Sequence, residues 1–149
     1  MNEALGRSQG GFSTKLPLRT DGAGRPLTVI LTPGQQHEMT VANDLLRATV
    51  KRPGRGRPRC RPKRVTADKG YAGRAFRARL RRRGIRYTIP RKITECRSGP
   101  FDAAIYRERN RIERAFNRLK QWRRIATRYE KRAANYRAMI VVAAMLQWP

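Results

Sequence analysis

Residues 64–89 restrict the fold more tightly than any other stretch. Residues 64–67 (RVTA) read as a short strand that runs into Asp68-Lys69-Gly70-Tyr71. Residues 72–83 read as a helix, with Phe76 and Leu80 four apart on one face, closed by Gly84, the residue type that most readily takes the left-handed conformation needed just past a helix. Residues 85–89 (IRYTI) alternate Ile85, Tyr87 and Ile89 and stop at Pro90, a second strand. Strand, helix, strand is the building unit of an α/β fold. In an open α/β sheet ligands bind outside the carboxyl ends of the strands, and Asp68 stands just past the end of the first one. An Asp in a strand-to-helix turn also serves as an N-cap, so position alone leaves a structural and a chemical role open.

Upstream, residues 1–11 are polar and Gly-rich and are expected to be irregular. Residues 12–20 and 27–31 (LTVIL) flank Asp21-Gly22-Ala23-Gly24, whose Asp and Gly carry turn chemistry, so the pair reads as a hairpin with Pro17 marking an edge position. Residues 38–50 are expected to be helical, with Val41, Leu45 and Leu46 at core spacing and Thr40 as a candidate cap. Residues 51–64 (KRPGRGRPRCRPKR) hold eight basic residues in fourteen, broken by Pro and Gly, which is the composition of a solvated loop. Within it, Arg55-Gly56-Arg57-Pro58 resembles the core of an AT-hook, and either a minor-groove reader or a loop contacting phosphates fits.

Residues 106–120 (YRERNRIERAFNRLK) contain no Pro or Gly and read as one helix, with Asp102 as its candidate N-cap. At about 100° per residue, Ile105, Ile112, Phe116 and Leu119 share a buried face. Tyr106, Arg109, Glu113 and Lys120 form a second stripe along its edge, so one acid sits at the boundary of core and solvent among polar groups. An amphipathic helix with ordinary i, i+4 ion pairs gives the same pattern. Residues 121–128 are expected to close or kink it. Residues 131–148 form a last helix with Met139, Val142, Ala143 and Leu146 facing inward.

Charge narrows the partners. The 149 residues carry a formal net charge of +26. Residues 1–50 hold 5 basic and 4 acidic residues, whereas 51–149 hold 31 and 6, so the surplus is confined to one part of the chain. Such a surplus repels itself unless a polyanion is near, and nucleic acid is the expected partner. Cys60 and Cys96 stand alone and His37 is the only histidine, which argues against zinc and for a reducing cytoplasm. The apolar run 138–146 is too short to span a bilayer, so no membrane partner is expected.

Two carboxylates occupy positions that suggest chemistry: Asp68 at a strand end and Glu113 on a helix edge. Carboxylates from separate elements are a standard way to hold Mg²⁺ for phosphoryl transfer. Here the sequence resembles a family. Tyr106-x2-Arg109-x3-Glu113-x6-Lys120 matches the signature around the glutamate of insertion-sequence transposases of the DDE type, and Ala67-Asp68-Lys69-Gly70-Tyr71 resembles the turn carrying their second aspartate. Arg123-Arg124-Ile125-Ala126-Thr127-Arg128-Tyr129 is also typical of that branch.

The resemblance implies an incomplete ribonuclease H-like α/β fold over residues 12–149: hairpin, helix, strand, helix, strand, then two C-terminal helices. It implies Asp68 and Glu113 as catalytic metal ligands for Mg²⁺, and Tyr106, Arg109 and Lys120 as residues that position the DNA strand. Arg55 and Arg57 would add DNA contacts from the loop. It implies DNA as substrate, at transposon ends and target, with self-association on DNA in the bacterial cytoplasm, at the nucleoid. The family uses a third carboxylate from a strand ahead of the hairpin. Asp21 is the acid in that general region, and its DGAG turn already accounts for it. The chain is therefore expected to be the downstream part of a transposase, completed by the product of an upstream frame. By itself it is expected to show no Mg²⁺-dependent strand cleavage. An inactive DNA-binding copy that inhibits transposition and a basic nucleic-acid-packaging protein stay open as alternatives.

Overall fold

A computed structural model describes residues 3–8, 11–47, 58, 61–92 and 101–149. The chain forms two compact units, one from residues 1–36 and 110–149 and the other from 37–109. The basic loop, with Arg55 and Arg57, and both cysteines lie outside the described residues.

The first unit is an antiparallel ribbon covered by helices. Its strands are β1 (Gly6–Ser8), β2 (Gly11–Lys15), β3 (Leu18–Thr20), β4 (Pro26–Val29) and β5 (Thr32–Pro33). β2 lies between β1 and β5, with Gly6 opposite Ser13 and Thr14 opposite Pro33, and β3 pairs with β4, with Leu18 opposite Val29. The expected strand over 12–20 splits at Leu16 and Pro17 because proline has no amide to donate. The Pro17 carbonyl still accepts from Ile30 at 3.0 Å and carries the ribbon across the gap. The segment expected to be irregular contains β1 (Gly6–Ser8), since β2 offers it a free edge.

The helices of this unit are α4 (Asn110–Lys120), α5 (Arg123–Ala126) and α6 (Ala133–Met145). Leu18 and Val29 of the ribbon meet Ala115 and Leu119 of α4, Ile125 of α5, and Tyr136, Ile140 and Ala143 of α6 in one core. Leu119 and Ile140 are fully buried, each burial stabilising by roughly 2–3 kcal/mol. The buried Tyr136 hydroxyl donates to the Ile125 carbonyl at 2.8 Å, so its polar end is satisfied. The expected inward face of the last helix is corrected here: Val142 and Leu146 are 58% and 67% exposed. Ala143 of the expected set does point inward, and Tyr136 and Ile140 join it. The segment is apolar nearly all round, so its period could not choose a face.

The second unit is built on a parallel pair. β6 (Arg64–Thr66) and β7 (Arg86–Thr88) run parallel, with Val65 opposite Tyr87, and α2 (Arg74–Arg82) is the crossover between them. Phe76 and Leu80 bury one face of α2 against Ile85 and Ile89, together with Ala42 and Leu46 of α1 (Ala42–Arg47). Gly84 closes α2 with φ +61, the left-handed conformation its position requires. Ahead of α1, a 3₁₀ turn covers Glu38–Val41. Its cap is His37, not Thr40: His37 Nδ1 accepts from the Met39 amide at 3.2 Å, and Thr40 donates back to the His37 carbonyl.

The expected single helix over 106–120 is two helices. α3 (Ala103–Arg107) ends in a tight turn, in which the Glu108 and Arg109 amides donate to carbonyls three residues back, and α4 starts at Asn110. No helix breaker marks this point. On the α3 side Phe101 meets Tyr106 with ring centres 5.3 Å apart, and on the α4 side Leu119 is fixed in the core of the first unit.

Candidate active site

Asp68 leaves β6 in an extended conformation and caps the 3₁₀ turn Lys69–Tyr71. Its Oδ1 accepts from the Gly70 amide at 2.9 Å. The structural role left open by its position is therefore present, and it uses one of the two carboxyl oxygens. Gly70 also leaves room for a second acid. A Cβ on Gly70 would lie 3.0 Å from Asp68 Oδ1 and 3.4 Å from Glu38 Oε2, so both carboxylates border the same spot.

Beside them, burial first and then the negative charges of Asp68 and Glu38 push the Tyr71 hydroxyl up to about 12. Tyr71 thus stays protonated at neutral pH and remains a donor next to two acceptors. Glu38 and Tyr71 were not legible as site residues. Glu38 is separated from Asp68 by the whole basic loop and reads as the first residue of a helix, and Tyr71 reads as a turn residue.

Asp102 caps α3 as expected, accepting from the Ile105 amide at 3.0 Å. Tyr106 is half-buried on α3, and the Arg109 guanidinium sits 5.5 Å from the centre of its ring. That cation–π contact fixes the long Arg109 side chain in one region at low entropic cost. On α4, Glu113 lies in the first turn and Lys120 is the last residue, both exposed. Glu113 there is favoured by the helix dipole, as is Lys120 at the opposite end. Tyr106 and Arg109 belong to one unit and Glu113 and Lys120 to the other.

The seat of α4 is a feature the sequence did not reveal. Arg111 donates to the Gly22 carbonyl, and Arg118 donates to the Gly24 carbonyl at 3.2 Å. Both arginines lie off the apolar face of the helix, and they grip the turn of the β3–β4 hairpin. Gly24 has φ +83, and a Cβ there would come within 3.0 Å of the Arg111 carbonyl oxygen. Asp21 holds this turn together. Oδ1 accepts from the amides of Ala23 and Arg25, both at 2.9 Å, and Oδ2 takes Arg25 Nε at 2.7 Å and Nη2 at 2.6 Å. Burial works to raise the Asp21 carboxyl, but the bonds from Arg25 and Ala23 outweigh it and hold it below its ordinary value. Its oxygens are committed to the turn.

With this geometry in place, known proteins decide the family. The family described as "Transposase DDE domain" matches residues 6–148. The chain belongs to that family. Among curated relatives, it is 35% identical over 128 residues to the transposase for insertion sequence element IS402 of Burkholderia cepacia, covering 85% of this chain and 58% of that protein. It is 32% identical over 139 residues to the transposase for insertion sequence element IS6501 of Brucella ovis, covering 92% of this chain and 98% of that protein. The chain thus spans just over half of the first relative and nearly all of the second. No solved structure matches it. Among the described residues no helix is long and apolar enough to cross a membrane.

Members of this family use a divalent metal. Among the described residues no group of three or more His, Cys, Asp or Glu is placed to hold one. The donor chemistry at Asp68 nonetheless fits such an ion. The neighbouring groups, Asp68 and Glu38, offer hard carboxylate oxygens rather than thiols or imidazoles, and Oδ1 alone is used by the cap.

Proposed function

We propose that this chain forms part of the ribonuclease H-like catalytic domain of an insertion-sequence transposase. In this reading it binds DNA at transposon ends and target and supports Mg²⁺-dependent strand cleavage and transfer. The observation that carries the reading is the position of Asp68, at the carboxyl edge of β6 in a parallel β6–α2–β7 unit, where open α/β sheets hold their ligands.

Asp68 and Glu113 are the residues assigned to the metal. When bound, Mg²⁺ would make an attacking oxygen more acidic and neutralise charge on the leaving oxygen. The rest is done by the chain's own side chains. Arg109, steadied against the Tyr106 ring, offers a planar fork that grips two oxygens of one phosphate. Lys120 adds a point charge, and Arg55 and Arg57 hold backbone phosphates from the basic loop. The cap on the Gly70 amide fixes where one oxygen of the Asp68 carboxylate points. The partners are DNA and a second copy on DNA, at the bacterial nucleoid.

The test is transposition in cells of the insertion sequence that encodes this chain. Asp68→Asn and Glu113→Gln are each expected to reduce transposition to background while the purified variants melt within a few degrees of the wild type. Transposition at wild-type frequency in both variants would end the reading.

A further inference from the structure

The second unit carries a cationic groove that the proposed chemistry does not use. It encloses about 490 Å³ and opens to solvent between β6, β7 and the end of α2, with Arg64, Arg81, Arg86, Thr88 and Asp102 among its walls. Val65 and Tyr87 pack on the core of this unit, so their strand neighbours Arg64 and Arg86 project to the other side. The parallel register sets Arg64 directly opposite Arg86, and like charges so placed repel. Arg81 adds a third charge from the last turn of α2, and Arg61 a fourth: a Cβ on Gly84 would lie 3.5 Å from its Nη2.

Among the described residues lining the groove, Asp102 is the only carboxylate. It reaches Arg64 at 3.9 Å while its other oxygen caps α3. Among the described residues, three guanidiniums line the groove and a fourth lies near its Gly84 wall, against one partly committed acid. The groove runs along β7 as far as Thr88, and Asp68, just past the carboxyl end of β6, is not among the residues that line it.

We propose that this groove is a second nucleic-acid site, which grips the sugar–phosphate backbone of a DNA segment through its arginines and not through Asp68. The arginines come from four successive segments along an open trough, an arrangement that suits a chain of phosphates rather than one enclosed ion. Guanidinium forks bind phosphate oxygens in pairs, and each such pairing releases counterions from DNA. An anion in the trough also relieves the Arg64–Arg86 repulsion built into the ladder. The inference rests on the proposed function only in taking DNA as the polyanion.

The test is binding of the purified chain to fluorescently labelled duplex DNA, followed by anisotropy over a KCl series. The variant is Arg81→Gln with Arg86→Gln, both exposed positions. The control is Lys131→Gln with Arg132→Gln, which removes the same charge from exposed positions outside the groove. The groove variant is expected to flatten the plot of log K against log salt by about 1.8, near 0.9 for each phosphate no longer neutralised. The control is expected to flatten it by less than half as much, and the groove variant is expected to melt no lower than wild type. Arg81→Lys with Arg86→Lys should restore most of the slope.

An unchanged slope in the groove variant, or an equal loss in the control, overturns the site. Groove-dependent binding of polyglutamate with DNA binding unaffected would overturn the assignment to nucleic acid. Failure of the wild-type chain to bind DNA at all would instead bring down the proposed function.

Discussion

Replacing Asp21 separates a structural acid from a catalytic one. Its carboxylate accepts two backbone amides at 2.9 Å and the Arg25 fork at 2.6 and 2.7 Å, and the turn it closes is held by Arg111 and Arg118 of α4. Asp21→Ala removes all of these acceptors. Water replaces part of them at this partly exposed site, so the expected cost is about 1–2 kcal/mol. For a unit of this size that lowers Tm by roughly 5–15 °C.

Asp21→Asn keeps an oxygen for the two amides and loses only the exposed ion pair, for less than about 1 kcal/mol. The pH dependence has a definite sign. The folded carboxyl is held below its ordinary 3.8, so its contribution is complete above that value and is lost as pH falls through the folded one. The gap between wild type and Asp21→Ala, followed by thermal melts monitored by circular dichroism, should narrow below about pH 4. Transposition by Asp21→Asn should remain near wild type. Complete loss of transposition in Asp21→Asn with an unchanged Tm would show that Asp21 takes part in chemistry and that the turn is not its reason for being there.

Three further outcomes follow from the same structure. Gly24→Ala is expected to cost more than about 1 kcal/mol by denaturant unfolding, because φ +83 and the Arg111 carbonyl both resist a Cβ, while Gly22→Ala, with open space around it, should stay within about 0.5 kcal/mol. Ile140→Ala should cost about 2–5 kcal/mol and Val142→Ala less than about 0.5, since one is fully buried and the other 58% exposed. Tyr71 should ionise near pH 12, later than an ordinary tyrosine, when phenolate absorbance is followed. The unfolded chain gives up that proton near pH 10 and the folded chain holds it, so stability should fall as pH rises from 10 to 12, and Tyr71→Phe should remove that part of the fall.

Local signals were legible where one physical cause acted alone. Gly84 needed a left-handed conformation, Asp102 needed an amide to cap, and Phe76 and Leu80 needed a core, and each is found in that role. Asp68 was legible as a strand-end residue because RVTA and IRYTI alternate or branch as strands do. Features set by tertiary packing were hidden. The break at Glu108 and Arg109 has no Pro or Gly to announce it, and the chain passes there from one compact unit to the other. The inward face of α6 was unreadable in an almost wholly apolar segment. Nothing in the local pattern around Arg111 and Arg118 announces the Gly22 and Gly24 carbonyls that the fold places against them. Glu38 comes to Asp68 only through the packing of two 3₁₀ turns from separate parts of the second unit.

The central claim is that Asp68 and Glu113 serve a metal and not merely the fold. Asp68→Asn suits the test because an asparagine oxygen can still accept from the Gly70 amide, so the cap survives while the charge is removed. The decisive measurement is Mn²⁺ binding to the DNA-bound chain, followed by electron paramagnetic resonance. Asp68→Asn and Glu113→Gln should each weaken Mn²⁺ binding by about tenfold or more, with DNA affinity in the absence of metal unchanged. Wild-type Mn²⁺ affinity in both variants would contradict the claim.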